Sequence, residues 1–181
     1  MSKISLSGNA LGTGTFTIAS PNGNTARTIN LPDSNGTILT TATAGVPVNG
    51  PAFSASRASG GTQSLSAGVW TKLLFPDEGY DTNNNFTNST FTPTVAGFYW
   101  VRVAAAQVNA GTQLGIYKNG FLQSGQNAGS GSGDWLEHTA LVQCNGSTDT
   151  IEGWAMAPSG MNFLANSVLC QFQAAMIRSA V

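Results

Sequence analysis

GFYWVRVAAAQV (97–108) is the stretch on which the fold turns. Its second half, VAAAQVNA, is the one part of the chain suited to a helix. It runs straight on from Phe98, Tyr99, Trp100 and Val101, however, and aromatic and β-branched residues favour a pleated surface. The whole stretch is therefore read as a strand. Being apolar on both faces, it needs cover on both, from a core on one side and a neighbouring subunit on the other. Arg102 within it is expected to pair with an acid or to lie at the strand's exposed edge. Around it stand AFSASRA from Ala52, VWTKLLFP (69–76), FTNSTFTP (86–93), QLGIYKNG (113–120), DWLEHTALVQC (134–144), TIEGWAMAP (150–158) and NSVLCQFQAAMIR (166–178). Gly, Asn, Asp or Pro punctuates nearly every gap. Short strands at this spacing predict an all-β sandwich or jelly roll.

Composition agrees. The 181 residues contain only 8% charged side chains, against about 25% in ordinary soluble domains. Seven Lys and Arg and a net charge of −1 argue against nucleic acid as a partner. Hydrophobic content of 41% is too high for charge-driven disorder. The 22 glycines, with abundant Thr, Ser and Asn, suit strands joined by many turns. No apolar run approaches the ~20 residues that span a bilayer, so no membrane insertion is expected. The N-terminal MSKISLSGNALGTGTF does not read as a secretory signal. Sequons at Asn35, Asn85, Asn88 and Asn145 are accordingly read as turn and strand chemistry. Cys144 and Cys170 sit inside apolar runs, without zinc-ligand spacing, and are read as buried free thiols, with a disulfide as the alternative if their strands are neighbours.

The first forty residues are of a different kind. GTGTFTIASP (12–21) places Phe16 and Ile18 on one face, and RTINLPDSNGTIL (27–39) does the same with Ile29, Leu31 and Ile38. Asn22-Gly23 between them suits a hairpin turn. A lone hairpin is marginal in water, so residues 1–40 are expected to pack on copies of themselves or on another protein. Phe16, Ile18, Ile29, Leu31, Pro32, Ile38 and Leu39 are the residues expected to make that attachment. Pro32 fits only an edge or a strand end. TTATAGVPVNGP (40–51) reads as a linker, which leaves residues 52–181 as the globular domain.

GPAFSA (50–55), YDTNNNFTNSTFTPTVAGFYWVRV (80–103) and YKNG (117–120), in that order, resemble the globular head of the complement-q and tumour-necrosis-factor superfamily. The resemblance covers residues 50–181. It rests on Ala52, Phe53, Tyr80, Asp81, Phe91, Pro93, Gly97, Tyr99, Lys118, Asn119 and Gly120. Separately, GTGTFTIASPNGNTARTINLPDSNGTIL is similar to N-terminal repeats of bacteriophage tail-fibre proteins, through the LPD-x-x-GT-I-L phrase (31–39). The first resemblance implies a homotrimeric jelly roll of about ten strands. The second implies a virion location, in a protein made in the host cytoplasm, with residues 1–40 fastened to another virion protein. Two departures limit the first: no Gly-x-y stalk precedes the head, and the chain is poor in charge. The former removes a complement role, and the latter weakens transfer of the family's calcium sites.

Candidate sites are few. Asp77, Glu78 and Asp81, read as one loop with Asn83 to Asn85, are the only grouping suggestive of a cation. Hard cations want six or more oxygens, and the reading is a solvated turn, with no metal and no cofactor. His138 is the only histidine; no Gly-x-Ser-x-Gly elbow accompanies it, and it shares a strand face with Leu136 and Ala140. It is read as a satisfied interior or interface residue. GTGTFT precedes a strand, not a helix, so it is no nucleotide loop. No enzyme is expected. Core or trimer-interface packing is expected for Trp70, Trp100, Trp135 and Trp154, all placed on strands. Trp135, which follows the polar loop SGQNAGSGSGD (124–134), is singled out together with Asn127, Ser130 and Asp134 as a ligand-binding candidate for a host-surface glycan or protein.

The reading that unites these features is a trimeric phage tail fibre or adhesin whose head binds a host-surface ligand by multivalent contact. A trimeric capsid decoration protein is the alternative. An enzyme trimming surface polysaccharide through Asp134, Glu137 and Glu152 is a third.

Overall fold

A computed structural model describes residues 11–15, 17, 23, 50–127 and 134–180. The expected hairpin and its attachment residues Phe16, Ile18, Ile29, Leu31, Pro32, Ile38 and Leu39 lie outside the described residues. From Ala52 the chain is strand after strand: β1 (Ala52–Arg57), β2 (Gln63–Leu65), β3 (Thr71–Lys72), β4 (Asp77–Asp81), β5 (Phe86–Thr87), β6 (Thr90–Phe91) and β7 (Ala96–Val108). Then come β8 (Gln113–Lys118), β9 (Phe121–Asn127), β10 (Asp134–Asn145), β11 (Ile151–Met156), β12 (Met161–Phe163) and β13 (Asn166–Ser179).

A five-stranded sheet has the order β10-β7-β13-β1-β4, and it faces a six-stranded sheet in which β11 is flanked by β8 and β9 on one side and by β3, β6 and β5 on the other. All pairings within both sheets are antiparallel. The chain is an all-β jelly-roll sandwich, as the sequence predicts. GFYWVRVAAAQV falls within β7, paired along its length to both β10 and β13. A helix there would have left two long strands without a ladder.

Alternation fills the space between the sheets. Phe53 and Ala55 from β1, Tyr99, Val101 and Val103 from β7, Leu114 and Ile116 from β8, and Phe172 from β13 are buried there. Each fully buried Phe or Leu contributes roughly 1.5–3 kcal/mol. Phe53 stacks on Phe86 with ring centres 4.5 Å apart and meets Phe91 at 4.7 Å, and Phe91 meets Tyr99 edge-on at 5.6 Å. The Tyr99 hydroxyl donates to the Val95 carbonyl at 2.6 Å. Phe53, Phe91 and Tyr99 are thus core residues, whereas Tyr80 is exposed. Lys118-Asn119-Gly120 is the β8–β9 turn, with φ of 53° at Asn119 and 79° at Gly120, the left-handed pair that a tight hairpin requires.

Several local expectations are corrected. VWTKLLFP (69–76) is a strand only over Thr71–Lys72. Beyond it, the Leu74 and Phe75 amides donate to the Gln63 and Ser89 side chains, which takes them out of a ladder. FTNSTFTP (86–93) is not one strand but a two-step hairpin, β5 against β6, reversed at Asn88 and Ser89 with φ of 50° and 58°. The segment 124–134, expected to be all loop, gives its first residues to β9, which pairs with β8. Asp77, Glu78 and Asp81 are not in one loop but on β4, the outermost strand of the five-stranded sheet. Cys144 on β10 and Cys170 on β13 are buried free thiols, and β7 lies between their strands.

Candidate functional site

The outer face of the five-stranded sheet is organised by register. One cross-strand row reads Leu141, Trp100, Ala175 and Ala52. The next reads Thr139, Arg102, Gln173, Ser54 and Tyr80, and a third Glu137, Ala104, Gln171, Ser56 and Asp77. The first row is apolar and open: Leu141 is 59% exposed and Trp100 40%, and Ile177 beside them on β13 is 54% exposed. The polar rows are tied together by Arg102. Arg102 Nε donates to Glu137 Oε2 at 2.8 Å, while its Nη1 donates to Gln171 Oε1 at 2.7 Å and Gln173 Oε1 at 3.1 Å. Arg102 therefore does pair with an acid, and it does so in the middle of the sheet.

Trp135 stands at the end of this face. Its indole N–H donates to the Leu169 carbonyl at 3.3 Å, and the Arg102 guanidinium lies 5.8 Å from its ring centre. Those two contacts hold a ring that is nearly half exposed. Asn127 ends β9, and Asp134 begins β10 immediately before Trp135. Ser130, between them, lies outside the described residues. Leu136, on the strand face opposite Trp135, is buried, and His138 two residues on meets Ser124 Oγ through Nε2 at 2.9 Å. Burial pushes the imidazole below its usual pKa.

The carboxylates serve local structure. Asp77 accepts from the Ala58 and Ser59 amides and the Ser59 hydroxyl at 2.6–2.8 Å, and the Ser59 bonds hold its pKa below the ordinary value. Asp81 accepts from the Asn83 and Phe86 amides. Glu78 is exposed. No cluster of His, Cys, Asp and Glu with metal-binding geometry occurs among the described residues. Glu137, bound to Arg102, and Glu152, bound to Lys72 Nζ at 2.7 Å, lie on the outer faces of different sheets with the core between them.

One arrangement escaped the sequence reading. Trp154 on β11 stacks on Tyr117 of β8 with ring centres 4.6 Å apart, and Trp70 meets Tyr117 at 5.6 Å. Neither tryptophan is in the core cluster, and Trp70 precedes β3 instead of lying on a strand. The signal was available in the parity of TIEGWAMAP, where Glu152 and Trp154 alternate with buried Ile151 and Ala155.

No protein-family model matches the chain, and no curated protein matches it. Solved structures do. PRD1 vertex protein P5 aligns with a TM-score of 0.52 at 17% identity, over 70% of this chain and 96% of that one. Murine APRIL aligns with a TM-score of 0.53 at 9% identity, over 71% and 99%. The globular domain of zebrafish complement 1qA protein aligns with a TM-score of 0.49 at 18% identity, over 72% and 99%. At such identities the vertex protein and APRIL matches carry the fold: the jelly roll of this chain is theirs. No helix among the described residues is long and apolar enough to cross a membrane.

Proposed function

We propose that the protein is a virion structural component whose jelly-roll domain assembles as a trimer and adheres to a host-surface ligand without covalent chemistry. The observation that carries the reading is the open apolar patch of Leu141, Trp100 and Ile177 on the five-stranded sheet, in a chain so poor in charge. Exposed apolar patches of this kind mark surfaces that other copies or partners cover. Likeness in fold to a phage vertex protein supports a place on the particle, as does the tail-fibre-like phrase at 31–39. The separation of Glu137 from Glu152 supports the non-enzymatic reading, since glycosidase chemistry needs two carboxylates flanking one bond.

A capsid location, as a decoration protein, is the second reading, and the vertex protein's place in its own particle favours it over a tail. Two measurements test the proposal. Sedimentation equilibrium of the full chain is expected to give three times 18.6 kDa, and a monomer would overturn the assembly. Immunogold labelling of virions with an antibody against residues 52–181 is expected to mark the particle. Label on fibres selects the adhesin, label on the shell selects decoration, and absence of label removes both.

A further inference from the structure

We propose that the outer face of the six-stranded sheet is a binding platform for a neutral pyranose ring of a surface glycan, built on Trp70, Tyr117 and Trp154. The site lies on a different sheet from Trp135, and the proposal deepens the adhesive reading and rests on it.

Register places the parts. One outer row reads Leu122, Tyr117, Glu152 and Thr90, and the next Gly125, Gly115, Trp154 and Lys72. Glycine in the middle of a strand weakens it and marks a place where something must approach the backbone closely. A Cβ on Gly115 would lie 2.7 Å from Leu122 Cδ1 and 2.9 Å from the Trp70 ring. The strand gives up a side chain there so that Trp70 and Leu122 can lie against the sheet. Trp70, Tyr117 and Trp154 then form a continuous run of rings outside the core.

Polar groups beside the rings are fixed in place. Glu152 Oε1 accepts from Lys72 Nζ at 2.7 Å and from the Thr90 hydroxyl at 3.0 Å, and Glu152 Oε2 accepts from the Trp154 indole at 3.0 Å. These bonds, set against a burial that opposes them, leave the Glu152 carboxyl below its ordinary pKa, so it is ionised at neutral pH. Its charge is cancelled by Lys72. The Tyr117 hydroxyl and the Trp70 indole N–H have no partner among the described residues.

This combination matches one ligand chemistry. A pyranose presents C–H bonds on its faces and hydroxyls on its rim. Aromatic faces are electronegative and attract C–H bonds, while the rim hydroxyls need donors and acceptors at the platform's edge. The cancelled charge favours a neutral sugar over an acidic one, since a carboxylated ligand would meet an acceptor already ionised. The rings hold one another and the carboxylate is pinned by three donors, so binding orders little that is not already ordered.

The test uses the full-length protein and neutral hexasaccharides of glucose, mannose and galactose as probes, followed by saturation-transfer NMR and tryptophan fluorescence. At least one probe is expected to bind at millimolar concentration or better. Trp70→Ala is expected to weaken it by about tenfold or more. Tyr117→Phe, which keeps the stack, is expected to weaken it only a few-fold. Absence of binding to every probe at about 10 mM overturns the proposal. So does binding that survives Trp70→Ala and Glu152→Gln in proteins whose circular dichroism is native. Particles that label with antibody while the protein binds no sugar remove this site alone. Sugar binding by a protein that labels no particle removes the virion reading instead.

Discussion

Arg57 lies with its guanidinium 5.6 Å from the centre of the Phe163 ring, and it is only 4% exposed. Its hydrogen-bond partners are backbone carbonyls: Nε donates to Gly61, Nη1 to Leu74 and Nη2 to Gly60, at 2.9–3.2 Å. One side chain thereby ties the β1–β2 connection to the residues that follow β3, and it covers the ring of β12 while doing so.

Replacing that fork leaves three carbonyls in need of donors. Arg57→Met is expected to lower unfolding free energy by about 2–4 kcal/mol in urea titrations. Arg57→Lys, with one point donor for three acceptors, should recover a minor part. An unchanged midpoint in Arg57→Met would show that the loops hold without the guanidinium.

Two turn glycines separate strain from collision. Gly120 and Gly146 have φ of 79° and 74°. A Cβ on Gly120 meets nothing within 4 Å, whereas one on Gly146 runs into the backbone of Val95 and Ala96. Gly120→Ala is expected to cost about 1 kcal/mol from the left-handed conformation alone. Gly146→Ala should cost at least twice that, read as the difference in melting temperature. Equal costs would mean the 95–96 backbone yields freely.

His138 should make stability depend on pH. Burial lowers its folded pKa, so the unfolded chain binds the proton more readily. The contribution is complete above the unfolded value of about 6.5 and is lost as pH falls through that value toward the lower, folded one. Melting temperature is expected to drop between pH 7.5 and 5.5, and His138→Gln to flatten that drop. Because this is the only histidine, a persisting drop would assign it to carboxylates.

Both thiols are shielded. Burial pushes Cys144 up to about 11, with Lys118 opposing and Asp149 reinforcing, and burial raises Cys170 as well. At pH 8 neither is expected to react with Ellman's reagent in the native protein, while both react in urea. Rapid native labelling would show that β10 or β13 opens away from the core.

If the apolar row on the five-stranded sheet is a subunit contact, Leu141→Glu should dissociate the assembly with little loss of fold. Leu141 faces outward at 59% exposure, so a glutamate there is solvated in a monomer and costly only against a neighbour. Sedimentation distinguishes the cases: an unchanged mass places the interface elsewhere.

The long elements were legible because period two survives whatever the strand packs on. β7, β8, β10, β11 and β13 follow the predicted runs, and Leu136, Val142 and Cys144 alternate inward as spacing requires. Short strands were not. β2, β4 and β12 are three to five residues each and carry no repeat long enough to read. FTNSTFTP is continuous in its strand-forming residues, yet Phe86 and Phe91 face each other across a reversal. Asn88 and Ser89 take positive φ there only because the closing hairpin holds them.

By itself, then, the sequence determined that this chain is a charge-poor, all-β sandwich of strands. Those properties follow from local alternation and composition, which every compact arrangement of the chain must respect. Which strands became neighbours was decided by the tertiary structure alone. β1 pairs with β13 across more than a hundred residues, a contact that no local signal encodes. Long-range pairing also set Arg102 against Glu137, seated Arg57 among three carbonyls, and drew Trp70, Tyr117 and Trp154 into one run of rings. Sites depend on such juxtapositions, and juxtaposition exists only once the sheets have closed.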